Sequence, residues 1–267
     1  MERRDRPPLG GAVSEAKGVA ATFFAASQLA PGATVSLDED AAHHARVRRV
    51  DVGHRVRLLD GAGTVAWGTL VRLAKAQMHV EVESMESVDP PPAVHMLVPV
   101  ADRDRMLWLA EKCAELGAAS WRPMMWRRSK SVSPRGEGMT FQAKVRARMI
   151  SALEQSGSAW LPAIYPEATV ERAIAAAPRG AHCLLDGSGD SMPATEMIAP
   201  LCLAVGPEGG IDADERELLV KAGWLPVSIG RSTLRFETAG IAALAIARAS
   251  LDRPQDTAPT NPPEHGG

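Results

Sequence analysis

Residues 203–249 read LAVGPEGGIDADERELLVKAGWLPVSIGRSTLRFETAGIAALAIARA, and the order of signals in this stretch decides the architecture. It opens inside Pro200–Gly206, a nearly continuous apolar run of the kind a central parallel strand needs when both faces are covered. Gly206-Pro207-Glu208-Gly209-Gly210 comes next. A helix then starts at Asp212, with Glu215 three residues on as in a capping box, and ends at Gly223. A second strand, LPVSIG, stops at Ile229-Gly230 and leads through Arg231–Thr238 into a helix of mostly small apolar residues. A loop between a central strand and a helix lies at the carboxyl edge of the sheet, where open α/β folds bind ligands. Three glycines in five residues let backbone approach such a ligand closely, although a tight strand-to-helix turn uses the same freedom. G-x-x-x-x-G-K-[ST] is absent, and neither this loop nor Asp186–Gly189 satisfies G-x-G-x-x-G. Phosphate-cradling readings lose their weight.

Upstream, HMLVPV, a helix expected over Arg103–Leu116, SWRPMMW, a helix over Phe141–Gln155 and AHCLLD alternate as in a mainly parallel α/β sheet. Met106, Leu109, Ala110, Cys113 and Leu116 share one helical face, and Gly117 stands where the cap belongs. The clearest break is SVDPPPAV at 87–94, where three prolines remove backbone donors and force an extended chain. Before it, TVSL, HRVRLLD, TVAWGTLVRL and QMHVEVES are short β-branched runs, with Asp60–Gly63 as the best hairpin connection, so a small β-barrel or sandwich is expected. The pattern predicts a β domain over 20–89, an α/β domain over 90–251, and polar tails at 1–19 and 252–267. A chain of 267 residues suits two domains.

The formal net charge of -2 disfavours nucleic acid when taken alone. Resolved by segment, Trp121–Arg148 holds eight basic residues against Glu137, a local charge of +7, and Arg46–Arg57 holds five arginines against Asp51, a local charge of +4. Arg46, Arg48, Arg49, Arg127, Arg128, Lys130 and Arg146 are the candidate RNA contacts, with a solvated helix face as the alternative. Trp121 and Trp126 alternate with these residues and could stack on bases, but strand-core packing is the favoured role. Cys113, Cys183 and Cys202 lie far apart, which argues against disulfides, structural zinc and a thiol nucleophile, and a reducing cytoplasm fits them. His43-His44 has no carboxylate or cysteine at ligand spacing, so no metal is expected. His182, in an apolar strand, reads as a core histidine. The N-terminal stretch holds no apolar run of signal-peptide length, and no stretch reaches the length of a membrane span, so secretion and membrane insertion are not expected.

At the mouth of the last helix, Arg231, Arg235 and Glu237 stand among hydroxyls and must be solvated, mutually paired or used on a ligand. In the plain alternative, Glu237 and Thr238 cap the helix and Arg235 pairs with Glu237.

The pairing of LAVGPEGG with IGRSTLRFETA resembles the C-terminal signature of the bacterial 16S rRNA uridine-N3 methyltransferases, the RsmE-like branch of the SPOUT class. Further similarity lies in His44–Asp51 followed by Gly53, in Lys112–Gly117 and in Glu154–Gly157, so the resemblance covers roughly residues 21–251. It implies an N-terminal PUA-like β-barrel and a C-terminal α/β domain with a deep trefoil knot, although knots are otherwise almost absent from proteins. It also implies a homodimer acting on 16S rRNA or the 30S subunit. S-adenosylmethionine would sit among three loops. The first supplies Leu185 and Gly187; the second Val205, Gly206, Pro207, Gly209 and Gly210; the third Ile229, Gly230, Ser232 and Leu234.

Methyl transfer from a sulfonium needs near-attack geometry and a dry site, and uridine N3 must lose a proton. Within the resemblance, Arg235 is expected to stabilise the developing anion and Glu208 or Glu237 to act as the base. Glu208 binding its own loop's amides is the alternative. This chain departs from the family where Ser158 stands in place of a common Arg, and where Ser232-Thr233 replaces a basic-apolar pair. Two rival functions remain: a SPOUT methyltransferase acting on another RNA, and a non-catalytic RNA-binding assembly factor. Intact GPEGG and LRFETA segments favour the enzyme.

Overall fold

Pro90, Pro91 and Pro92 separate two sheets that share no strand. The computed structural model describes residues 18–129, 138–193 and 197–252, so the tails expected at either end lie almost wholly outside the described residues. Before the prolines come β1 (Thr22–Phe24), β2 (Thr34–Leu37), α1 (Glu39–Val47), β3 (Arg55–Leu59), β4 (Thr64–Leu73) and β5 (Met78–Ser87). They form a five-stranded sheet in the order β1-β3-β4-β5-β2. The β3–β4 turn is the expected hairpin, closed by Asp60, whose Oδ1 accepts from the amides of Ala62 (2.7 Å) and Thr64 (2.9 Å). Alternate residues such as Val56, Leu58, Val80 and Val82 turn inward against Phe23 and the alanine face of α1.

After the prolines the chain alternates: β6 (Val94–Pro99), α2 (Arg103–Glu115), β7 (Ser120–Met125), α3 (Gly138–Ser156), the short β8 (Ala163–Ile164) and β9 (Ala168–Thr169), and α4 (Val170–Ala175). It continues through β10 (Ala181–Ser191), β11 (Leu201–Val205), α5 (Ala213–Lys221), β12 (Leu225–Ser228) and α6 (Phe236–Leu251). The seven-stranded sheet runs β12-β10-β11-β6-β7-β8, with β9 also on β7, and every pair in it is parallel. All five residues of β11 are buried. Leu203 and Val205 pack with Leu109, Met149 and Leu244 on one face, while Cys202 and Ala204 pack with Leu219 and Trp224 on the other. Cover on both faces is why this strand carries no polar alternation.

Glu154 of α3 ties the two sheets together. Its Oε1 accepts from the Phe24 amide (3.0 Å) and its Oε2 lies 3.4 Å from His44 Nδ1. Burial pushes this carboxyl above the ordinary value, against the opposing pull of the Phe24 amide and His44.

Candidate functional site

Parallel strands end together, and at the carboxyl ends of β10, β11 and β12 a cavity of about 360 Å³ opens. Its first wall comes from an irregularity in β10, where Leu185 and Asp190 both stand opposite Val227, so residues 186–189 are extruded from the register. The extrusion brings Gly189 onto β12: a Cβ there would lie 2.4 Å from the Pro226 carbonyl, which only glycine avoids. Asp186 holds the bulge by accepting from the Ser188 amide (2.9 Å) and hydroxyl (2.8 Å) and from Arg216 Nε. Partial burial works to raise the Asp186 carboxyl, but the bonds from Ser188 and Arg216 prevail and hold it below the usual carboxylate value.

The second wall is the loop after β11, turned by Gly210 at φ +76°, whose amide donates to the Pro207 carbonyl (2.9 Å). The third is residues 229–234 after β12. Leu185, Val205, Val227, Ile229, Leu234 and Phe236 make much of the lining apolar, with Asp186, Ser188, Glu208, Arg216 and Ser232 among the polar points. Of the eleven residues expected around a cofactor, Leu185, Gly187, Val205, Gly206, Pro207, Gly210, Ile229, Gly230, Ser232 and Leu234 line this cavity. Gly209 does not. It faces the backbone of Arg128, whose carbonyl oxygen would sit 2.9 Å from a Cβ.

The three catalytic candidates are distributed unevenly. Glu208 lines the cavity and is exposed. Glu237, in the first turn of α6, is buried, and its Oε2 has no hydrogen-bond partner among the described residues. Arg235 occupies the N-cap position of α6 with extended backbone and an exposed side chain, and it makes no cap bond. Neither Glu237 nor Arg235 lines the cavity. The alternative in which Arg235 pairs with Glu237 is not realised, because Arg105 of α2 stands there instead. Its Nη1 donates to Glu208 Oε1 and its Nε lies 3.8 Å from Glu237 Oε1. Sequence reasoning missed Arg105, yet a signal was present: α2 follows β6, so its first turn opens at the same sheet edge as the glycine loop.

Other expectations change on contact with the geometry. The capping box does not form: Asp212 accepts from the Asp214 amide (3.2 Å), and Glu215 Oε1 accepts from the Arg127 amide (2.8 Å). His182 is not a core residue but a partly exposed one, stacked on Trp224 and bonded to the Pro178 carbonyl. Trp121 and Trp126 are buried, and Trp126 Nε1 donates to the Val205 carbonyl (3.1 Å), which keeps both away from bases. Burial raises all three cysteine thiols, that of Cys202 to about 12, so none is primed as a nucleophile.

The basic candidates divide. Arg127 Nη1 bonds Asp212 (2.7 Å) and Asp214 (3.0 Å), and Arg128 reaches Asp212 at 3.5 Å. Arg146 lies over the Phe24 ring, and Arg46 donates to the carbonyls of Ala74 and Lys75. Arg48 and Arg49 are exposed and make no ion pair among the described residues, and Arg49 takes a left-handed φ of 57°. Lys130 lies outside the described residues.

Residues 89–248 match the model of an RNA methyltransferase domain, and residues 37–83 match that of an RNA methyltransferase PUA domain. Ribosomal RNA small subunit methyltransferase E of Synechocystis sp. is 28% identical over 82% of this chain and 74% of its own length. The protein of the same name from Mycobacterium tuberculosis is 28% identical over 85% of this chain and 90% of its own. Among solved structures, a Legionella pneumophila methyltransferase in complex with bound cofactor SAM superposes with a TM-score of 0.78 at 25% identity, covering 86% of this chain and 97% of that one. A ribosomal RNA small subunit methyltransferase E from Neisseria gonorrhoeae bound to S-adenosyl methionine gives 0.75 at 26% identity, covering 84% and 95%. A carboxyl-edge cavity walled by three loops and a domain match across most of the α/β sheet agree, and the chain belongs to the RNA methyltransferase domain family.

Proposed function

We propose that this chain uses S-adenosylmethionine to methylate N3 of a uridine in 16S ribosomal RNA, free or within the 30S subunit. The observation that carries the reading is the cavity itself, of a size suited to a cofactor, with the Glu208 carboxylate in its wall. The lining suits that group. Leu185, Val205 and Ile229 offer apolar surface to an adenine, Gly206 and Gly210 leave backbone open to close approach, and the carboxylates of Asp186 and Glu208, ion-paired with Arg216 and Arg105, supply polar acceptors in the wall. When bound, S-adenosylmethionine supplies a methyl group on a sulfonium sulfur.

The chain's own residues do the rest. Glu208 takes the N3 proton onto its carboxylate. Arg235, exposed beside the third loop, sets a cation against the uracil carbonyls as negative charge develops. Leu234 and Phe236 exclude water from that edge. Arg48 and Arg49 contribute phosphate contacts from a PUA-like domain over 20–89, beside a methyltransferase domain over 90–251. We infer a SPOUT-type architecture with a trefoil knot, acting in the cytoplasm as a homodimer with its site near the subunit interface.

Mass spectrometry of digested rRNA from cells with and without the gene tests the target: 3-methyluridine should disappear with the gene, and an unchanged level overturns the assignment. Calorimetry with S-adenosylmethionine tests the cofactor, and no heat of binding overturns the methyltransferase reading. Arg235→Ala should lower kcat about 100-fold or more while leaving cofactor affinity within about threefold. Equal loss of both would move Arg235 into cofactor binding.

A further inference from the structure

We propose that Arg105 is a positioning residue that aims Glu208 into the cavity by anchoring it to the buried Glu237; this rests on Glu208 being the group that takes the N3 proton. The three side chains come from separate elements: Arg105 from the first turn of α2, Glu208 from the loop after β11, and Glu237 from the first turn of α6. They differ sharply in freedom. The Glu237 side chain is 7% exposed, whereas those of Arg105 and Glu208 are 35% and 37% exposed. A carboxylate on a glycine-rich loop, more than a third open to solvent, has no packing of its own to fix its direction. The guanidinium supplies that direction, because its planar fork presents several donors in fixed geometry and can face two carboxylates at once.

Glu237 is the fixed end of the arrangement. It is held by burial at the start of α6, where the helix N-terminus favours negative charge. Arg105 is the cation paired with it among the described residues, where Oε2 has no hydrogen-bond partner, so losing Arg105 would leave a buried carboxylate uncompensated. Charge bookkeeping also suits a proton acceptor. One guanidinium faces two carboxylates, so when Glu208 takes a proton the cation keeps Glu237 as its partner and the cluster moves from one net negative charge to neutral. A one-to-one pair would instead lose its only counter-charge at the moment of transfer.

The full chain is assayed on small ribosomal subunits from a strain lacking the gene. Arg105→Ala should lower kcat about 100-fold, leaving the KM for subunits and the calorimetric Kd for S-adenosylmethionine within about threefold. Arg105→Lys, which keeps the charge without the fork, should recover about tenfold of that loss. In a Glu208→Gln background, Arg105→Ala should cost less than about threefold, because Arg105 acts through Glu208. If the two losses multiply in full, or if Arg105→Lys folds normally yet recovers nothing, the positioning role is overturned. Wild-type kcat in Glu208→Gln alone would overturn the base assignment instead, which separates the two failures. Should Arg105→Ala fail to fold, Arg105→Gln carries the same comparison.

Discussion

Arg48-Arg49 and Arg127-Arg128 are the same dipeptide in sequence and opposite objects in the folded molecule. The first pair closes α1, exposed and without an ion-pair partner among the described residues. The second pair follows β7 and meets Asp212 and Asp214 at the start of α5, from 85 residues further along the chain. Charge counted along a segment therefore overstates what the second pair can offer a polyanion. A phosphate approaching Arg127 must displace carboxylates already there, whereas one approaching Arg48 displaces only water and counterions. The two segments also differ in backbone, since Arg49 is held in a conformation that L-residues avoid at a cost of about 1 kcal/mol.

The sharpest way to break this contrast is the salt dependence of RNA binding. Replacing Arg48 and Arg49 together by alanine should flatten the slope of log affinity against log salt by roughly 1.4 for single-stranded contacts. The matching replacement of Arg127 and Arg128 should change it by less than half as much, and a reversed order in filter-binding titrations would discard the distinction. Freeing the second pair should sharpen it: Asp212→Asn keeps an N-cap-competent side chain but removes the charge, so RNA affinity should rise about threefold. No gain at low salt would mean that Arg127 and Arg128 face away from RNA. The smallest effect concerns backbone strain. Arg49→Gly should raise unfolding stability by up to about 1 kcal/mol in denaturant titration while weakening RNA binding as much as Arg49→Ala does.

What could be read in the sequence was local and periodic. The apolar run of β11, the turn at Asp60–Gly63 and the glycine loop at 206–210 each combine a residue pattern with a conformational need met by near neighbours. Where the reading stopped short, the partner lay far off. The apolar pattern predicts that β10 ends near Asp186, but the strand resumes beyond a four-residue bulge, because pairing with β12 compensates for a glycine-rich stretch with no alternation. Its spacing places Glu215 in a capping box at its own helix start, whereas the carboxylate accepts from Arg127, 88 residues away. Arg105 and Glu208 are separated by 103 residues, and no spacing rule connects them. Gly209 alone of residues 206–210 turns from the cavity toward the backbone of Arg128, a neighbour 81 residues away that no local pattern announces.

The extruded bulge of β10 also has a consequence for synthesis. Its shape is defined by β12, and the third wall of the cavity lies beyond β12, so residues 186–189 and 206–210 have no complete pocket to line until residues 225–239 have left the ribosome. A late-translated part of the chain is thus what completes the cavity, and a nascent chain stalled before β12 would carry a nearly finished sheet whose carboxyl edge lacks one wall.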